Sequence, residues 1–310
     1  MSALRFLQVR FRAAPPLIRG ALWMLGSCLV FSIAAALVRK MSAEFHPFQL
    51  VFIRNGVALL MMLPWLWNVG LGALRTANPK VHGARAVFSL ASTLAWFYAL
   101  ATVPLAEAVA LGFSAPLFAT LGAVLILSER MRVRRWTALA VGFAGAALIL
   151  RPGFDTVDLG QAMALLSSVL SAGSILAIKW LTRGENPTAI VTLQLLLITP
   201  FALLIALFYW RTPDAGQLVW LVAIGICAGF GQLMVVRALK LADTGAVMPL
   251  EFSRLIFAAV FGFTLFGETP DLWTWIGGLI IFASGFYIAR REAKRGGSAP
   301  AGGSVAEPKS

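Results

Sequence analysis

Three charged residues sit inside long apolar runs: Arg54, Glu251 and Arg254. At a bilayer centre a lone charge costs about 2.5–3.5 kcal/mol on insertion scales, so each needs a partner or a task. Glu251 and Arg254 lie in Pro249-Leu-Glu-Phe-Ser-Arg254 and, three residues apart, would share one helix face. A helix over 245–266 would put Arg254 about ten residues in, roughly 15 Å from its start and near the midplane. Arg54 follows Pro47, and Gln194 follows Pro187, at the same spacing, which makes a polar pair at equivalent depth. A guanidinium there can hold an anionic group, and Glu251 can bind a cationic group or carry a coupling proton. The rival reading is a Glu251–Arg254 ion pair that only fixes helix packing. Trp96, Tyr98, Ser114 and Gln232 are the further candidates for a solute-binding cavity, with Phe113, Ser167, Ser171 and Arg237 beside them. For any single serine, helix–helix packing is the competing role.

The elements that would position these residues are membrane helices. The 310 residues are 59% hydrophobic and only 13% charged. Mean hydropathy is +0.83. A soluble domain averages about 25% charge, so lipid is the solvent that this composition fits. Apolar stretches fall at 20–38, 47–68, 84–102, 105–127, 135–150, 159–180, 188–209, 217–239, 245–266 and 272–289. Most approach the ~20 residues that span a bilayer core. With the N-terminus inside, 20 of the 26 Lys and Arg fall on the inner side and four on the outer, leaving Arg54 and Arg254 within helices. That bias predicts an inner-membrane, multi-pass protein with both termini cytoplasmic and an even number of spans. Residues 1–19 read as a basic cytoplasmic segment and 292–310 as a disordered tail. The net charge of +13 lies in short connectors, not on a basic helix with interleaved aromatics, so nucleic acid is not an expected partner. Cys28 and Cys227 are isolated in apolar runs, as are His46 and His82 from each other, so neither a metal nor another cofactor is expected.

The chain repeats itself. At an offset of 139, Phe113-Ser114 meets Phe252-Ser253, Glu129 meets Glu268, Trp136 meets Trp275 and Phe143-Ala144 meets Phe282-Ala283. At 140, Gly20 meets Gly160, Arg39 meets Lys179 and Pro47 meets Pro187. The halves are 20–152 and 153–291, five helices each. An odd number inverts one half relative to the other, and the basic connector 129–135 opposite the acidic 268–275 agrees. Inverted repeats of this kind point to alternating access around a midplane site. Pro116 and Pro249 are expected to kink the fourth and ninth helices. The Gly142-Phe-Ala-Gly-Ala146 run permits close helix contact, within the chain or in a homodimer.

The duplicated pattern resembles the EamA-type transporters of the drug/metabolite transporter superfamily. It reads Phe113-Ser-Ala-Pro-Leu-Phe-Ala-Thr-Leu, Ser128-Glu129-Arg130, Trp136 and Gly142/Gly145 in the first half. The second has Met248-Pro-Leu-Glu-Phe-Ser-Arg254, Phe266-Gly267-Glu268, Trp275 and Gly277-Gly278. The resemblance covers about residues 18–291 and implies ten helices, both termini inside and secondary transport of small metabolites. The His46-Pro-Phe-Gln stretch leading to Arg54, and the block Ala99–Pro152, are similar to the branch with S-adenosylmethionine and riboflavin uptake proteins. The substrate, then, is expected to be a small polar organic metabolite: S-adenosylmethionine, riboflavin or amino-acid-like. No GxxxxGK[ST] is present, so this chain has no P-loop ATPase of its own. A membrane-embedded transferase would need a catalytic constellation, and none is visible at a helix end. A non-transporting receptor or assembly factor would usually carry a soluble domain, and the loops are short.

Overall fold

The computed structural model describes residues 15–127, 133–150, 158–181, 184–241 and 248–296. Expectations that rest on the segment before residue 15, on Glu129, Arg130, Arg132, Arg151 and Arg183, on the 152/153 boundary and on the tail from 297 lie outside the described residues. The described chain is all α. The helices are α1 Pro16–Met41, α2 Pro47–Val69, α3 Pro79–Thr102, α4 Leu105–Gly112, α5 Ala115–Leu127, α6 Val133–Leu150, α7 Leu159–Leu181, α8 Pro187–Leu207, α9 Ala215–Leu241, α10 Ser253–Phe266 and α11 Leu272–Gly296. A 3-10 segment, Met248–Phe252, leads directly into α10. Seven stretches are long and apolar enough to cross a membrane, with shorter apolar stretches at Trp136–Leu150 and Leu272–Ile288.

Local chemistry sets the ends. Proline opens α1, α2, α3 and α8, where its missing N–H costs nothing. The side chains of His46 and Asn186 cap α2 and α8 from equivalent corners, accepting from the amides of Phe48 at 3.4 Å and Thr188 at 2.9 Å. Gly267, at φ 68°, closes α10, and the Glu268 amide turns back to Gly262 O at 3.0 Å. That turn is what sets Glu268 at the end of α10.

The helices pack as the repeat demands. α1 lies along α9 as α7 lies along α3, and α2 faces α8 as α6 faces α11. Large apolar side chains such as Leu22, Leu60, Phe201 and Phe263 are exposed on the bundle, where lipid would cover them. The interior around α4 is built of small residues, Ala106, Ala108 and Ala110 among them, which lets backbones approach. The small-residue run on α6 is used within the chain. A Cβ on Gly145 would sit 2.9 Å from Gly277 O, and one on Gly277 would sit 2.6 Å from Gly145 O, so α6 and α11 touch backbone to backbone.

The stretches around Pro116 and Pro249 depart from regular α-helix where the sequence predicts kinks. The sequence reading of one helix over 105–127 gives way to α4 and α5, parted at Phe113-Ser114. Of the stretch 245–266, residues 248–266 are described: the 3-10 segment passes into α10 at the matching Phe252-Ser253. Pro116 is thus the second residue of α5, and Pro249 falls in the 3-10 segment, both places where a missing amide is tolerated. Arg254 sits in the first turn of α10, directly after the 3-10 segment.

A break inside a membrane frees backbone carbonyls that need partners. Each half supplies them to the other. Ser168 on α7 donates to Leu111 O at 3.3 Å, and Cys28 on α1 donates to Leu250 O at 3.6 Å. Cys28 and Ser168 are 140 apart, and Leu111 and Leu250 are 139 apart, so the contact obeys the internal symmetry. Ser32 adds a hydrogen bond to Arg254 O at 3.2 Å.

A central cavity between the two broken helices

A cavity of about 370 Å³ opens where the two breaks meet. α1, α3, α7 and α9 wall it, α2 contributes Arg54, and the break regions contribute Gly112, Phe113, Ala115, Glu251 and Arg254. Repeat mates Phe113 and Phe252 stack at 6.4 Å between ring centroids, and Phe282 packs on both, at 5.7 and 5.2 Å. This aromatic knot fixes the two breaks against each other.

The structure brings Arg54, Glu251, Arg254 and Trp96 to the cavity, and with them Phe113, Ser167 and Ser171. The other candidates lie elsewhere. The Gln194 amide donates to Ser89 Oγ on α3. Ser114 is buried and donates to Leu111 O at 2.6 Å, at the break itself. Tyr98 is on α3 but off the cavity wall, and Gln232 is exposed on α9. Arg237 lies over the Trp23 ring at 4.9 Å. Sequence reasoning missed Phe31, Ser92, Thr93 and Ser168, which also line the cavity.

The charges are held apart. No ion pair within 4.0 Å joins Glu251 to Arg254 among the described residues, although the two interact coulombically at longer range. Arg254 instead lies over the Phe31 ring at 5.2 Å, and its Nε is buried without a hydrogen-bond partner. Arg54 donates from Nη1 to Asn55 Oδ1 at 3.0 Å. Hydroxyls line the α3–α7 side. Ser92 donates to Ser167 O at 2.9 Å and meets Ser171 Oγ at 2.7 Å. At the symmetry-related depth the two halves differ: Gly112 and Ala115 stand where the second half has Glu251 and Arg254.

One end of the cavity is sealed. Arg39 Nη2 lies 2.6 Å from Glu268 Oε1, in a coulombic contact, not a well-aimed hydrogen bond. Arg39 Nη1 donates to Val103 O at 2.8 Å, and Glu268 Oε2 accepts from the Leu105 amide at 2.8 Å. Beneath this circuit Val38, Leu100 and Leu105 are buried. Here Arg39 ties the end of α1 to the end of α3. Beyond the cavity, at the far corner, Glu185 accepts from Thr76 at 2.6 Å and Asn78 at 3.3 Å and pairs with His82 Nε2 at 2.7 Å.

Comparison with known proteins agrees with this architecture. The EamA-like transporter family matches twice, over residues 18–151 and 158–290. The chain belongs to that family. This EamA protein is 34% identical over 284 residues to the riboflavin transporter of Vibrio cholerae, covering 90% of this chain and 95% of that one. It is 26% identical to the S-adenosylmethionine uptake transporter of Rickettsia prowazekii, covering 89% and 94%. A solved crystal structure, 20% identical, aligns with TM-score 0.60 over 90% of this chain and 99% of that one, which speaks for the fold alone. Membership in the drug/metabolite transporter superfamily makes this a multi-pass membrane protein with a transport function and argues against an enzyme.

Proposed function

We propose that the chain is a secondary transporter that carries a small polar metabolite of the riboflavin type across the bacterial inner membrane by alternating access. On this reading it has ten spans in two inverted repeats and both termini in the cytoplasm. Its fourth and ninth spans are the discontinuous helices that flank the substrate. The observation that carries the reading is the central cavity, in which three charges have no salt bridge within 4.0 Å among the described residues. Such residues face a solute path by default. The volume lies within the range of small-molecule sites. Phe31, Trp96 and Phe113 offer faces for a planar ring, and the serines of α3 and α7 offer hydroxyls for a hydroxylated chain. Two guanidiniums against one carboxylate suit a neutral ring system rich in carbonyl acceptors better than S-adenosylmethionine, whose sulfonium makes it a cation.

The test is uptake into proteoliposomes of labelled riboflavin and labelled S-adenosylmethionine, by wild type and Arg254→Ala. Wild type is expected to accumulate riboflavin, and Arg254→Ala to lose at least about 90% of that uptake while inserting normally, since one buried charge contact carries on the order of a tenfold effect or more. Preferred uptake of S-adenosylmethionine would move the substrate assignment to that class. Undiminished uptake by well-inserted Arg254→Ala would refute the site.

A further inference from the structure

Arg54 is an unusual intramembrane arginine. Such residues pair with carboxylates or carbonyls as a rule, yet no carboxylate lies within 4.0 Å of it among the described residues. Its hydrogen-bond partner is the neutral amide of Asn55, the next residue of α2. Asn55 has no solvent exposure, and its Nδ2 is buried without a hydrogen-bond partner. Stability does not account for this choice. An aspartate there would pair with Arg54, and no amide donor would be left unmade; an unmade buried donor is costly. The other half of the chain shows the apolar solution, since the residue 140 further on is the buried Leu195.

We infer that Asn55 is a positioning and charge-selecting residue, which holds Arg54 toward the cavity through a neutral acceptor and so leaves the guanidinium charge free for the solute. With Arg54 uncompensated, the cavity carries two cations, Arg54 and Arg254, against Glu251. A site of that balance favours solutes that are neutral and acceptor-rich, or anionic, and disfavours cations. The inference rests on the cavity's being the substrate site, as proposed above.

The experiment compares wild type, Asn55→Asp and Asn55→Ala. It reads the thermal midpoint of the purified proteins and KM and Vmax for riboflavin in proteoliposomes, with S-adenosylmethionine as competing cation. A merely structural asparagine would make Asn55→Ala the worst variant in both stability and transport and leave Asn55→Asp close to wild type. Positioning by a neutral acceptor predicts instead that Asn55→Asp is the more stable of the two and the worse in transport. Asn55→Asp should be at least as stable as wild type, yet show a riboflavin KM raised about tenfold with Vmax kept, and stronger inhibition by S-adenosylmethionine. Combined with Arg54→Gln, the aspartate should add no further rise in KM, because the charge it neutralises is gone. If Asn55→Asp does not fold, Asn55→Ala carries the test: if Asn55 positions Arg54, its KM rises in the wild-type background but not in the Arg54→Gln background, whereas a structural loss appears in both. A wild-type KM in a folded Asn55→Asp, or in Asn55→Ala where only that variant folds, overturns the inference and leaves the transport reading standing. A wild type that does not carry riboflavin at all sinks the substrate reading, and this inference with it.

Discussion

Glu185 acts as a polar latch at the corner between α7 and α8. Burial pushes its carboxyl up, but the hydrogen bonds from Thr76, His82 and Asn78 outweigh it and hold the group below the ordinary Glu value. A depressed carboxylate pKa adds stability above the unfolded pKa, which for Glu is about 4.3, and that stability is lost as pH falls through the folded value. The thermal midpoint of wild type should therefore exceed that of Glu185→Gln while the carboxylate is ionised, and the margin should close under acid that protonates it. A margin unchanged at acid pH would mean that the carboxylate charge is not what holds the corner. Glu44 sits at the α1–α2 corner, the counterpart of this one, where its backbone carbonyl accepts from Arg211 at 3.0 Å and its carboxylate from Gln217. The repeat has thus kept an acidic residue at each corner, with different partners.

At the scale of elements, the breaks in the fourth and ninth spans are what make a cavity, and each depends on a small donor from the opposite half. Ser168→Ala leaves Leu111 O short of one partner, although Ser114 still reaches it. The expected loss is about 1 kcal/mol, a drop of a few degrees in thermal midpoint at this size. Cys28→Ala should cost less, since a thiol is a weak donor. Equal or reversed losses would show that the symmetric contacts are not what supports the breaks. The sequence made parts of this legible and hid others for physical reasons. Arg54, Glu251 and Arg254 stand out because a charge in an apolar run needs an explanation, and Trp96 because an aromatic far from a helix end cannot be an interface anchor. Phe113 and Ser114 were legible as a matched pair, but not as a break, because proline signals a kink and a break alike. Asn55, Ser168 and Cys28 were invisible: small polar residues in membrane helices mostly serve packing, and only the tertiary structure shows which carbonyl or guanidinium each one reaches. The partner of Gln194, Ser89, was hidden for the same reason. Its depth follows from Pro187, but the face it presents depends on how α8 packs on α3.

At the scale of the molecule, the proposed inverted repeat would make the two ends of the cavity symmetry mates, and alternating access would open them in turn. At one end the Arg39 side chain reaches from α1 to Val103 O at the end of α3. The circuit from Arg39 through Glu268 to the corner of α3 and α4 ties four elements across that mouth. On the alternating-access reading it is the latch that must open for the opposite conformation to form. The pair is still partly solvated, with side chains 19% and 11% exposed, so its loss should shift the balance by on the order of 1–2 kcal/mol, roughly tenfold in population. Glu268→Gln removes the charge yet keeps an acceptor for the Leu105 amide, which separates latch from helix cap. In a background of Cys28→Ala and Cys227→Ala, a cysteine placed at Leu100 lies buried beneath the latch. Its labelling by a membrane-impermeant maleimide should accelerate about tenfold with Glu268→Gln, and fall back when riboflavin traps the closed form. Labelling as slow as in the parent protein, for Glu268→Gln and Arg39→Gln alike, would mean that the apolar layer of Val38, Leu100 and Leu105 closes that end unaided. The ion pair would then only decorate a seal already made by packing.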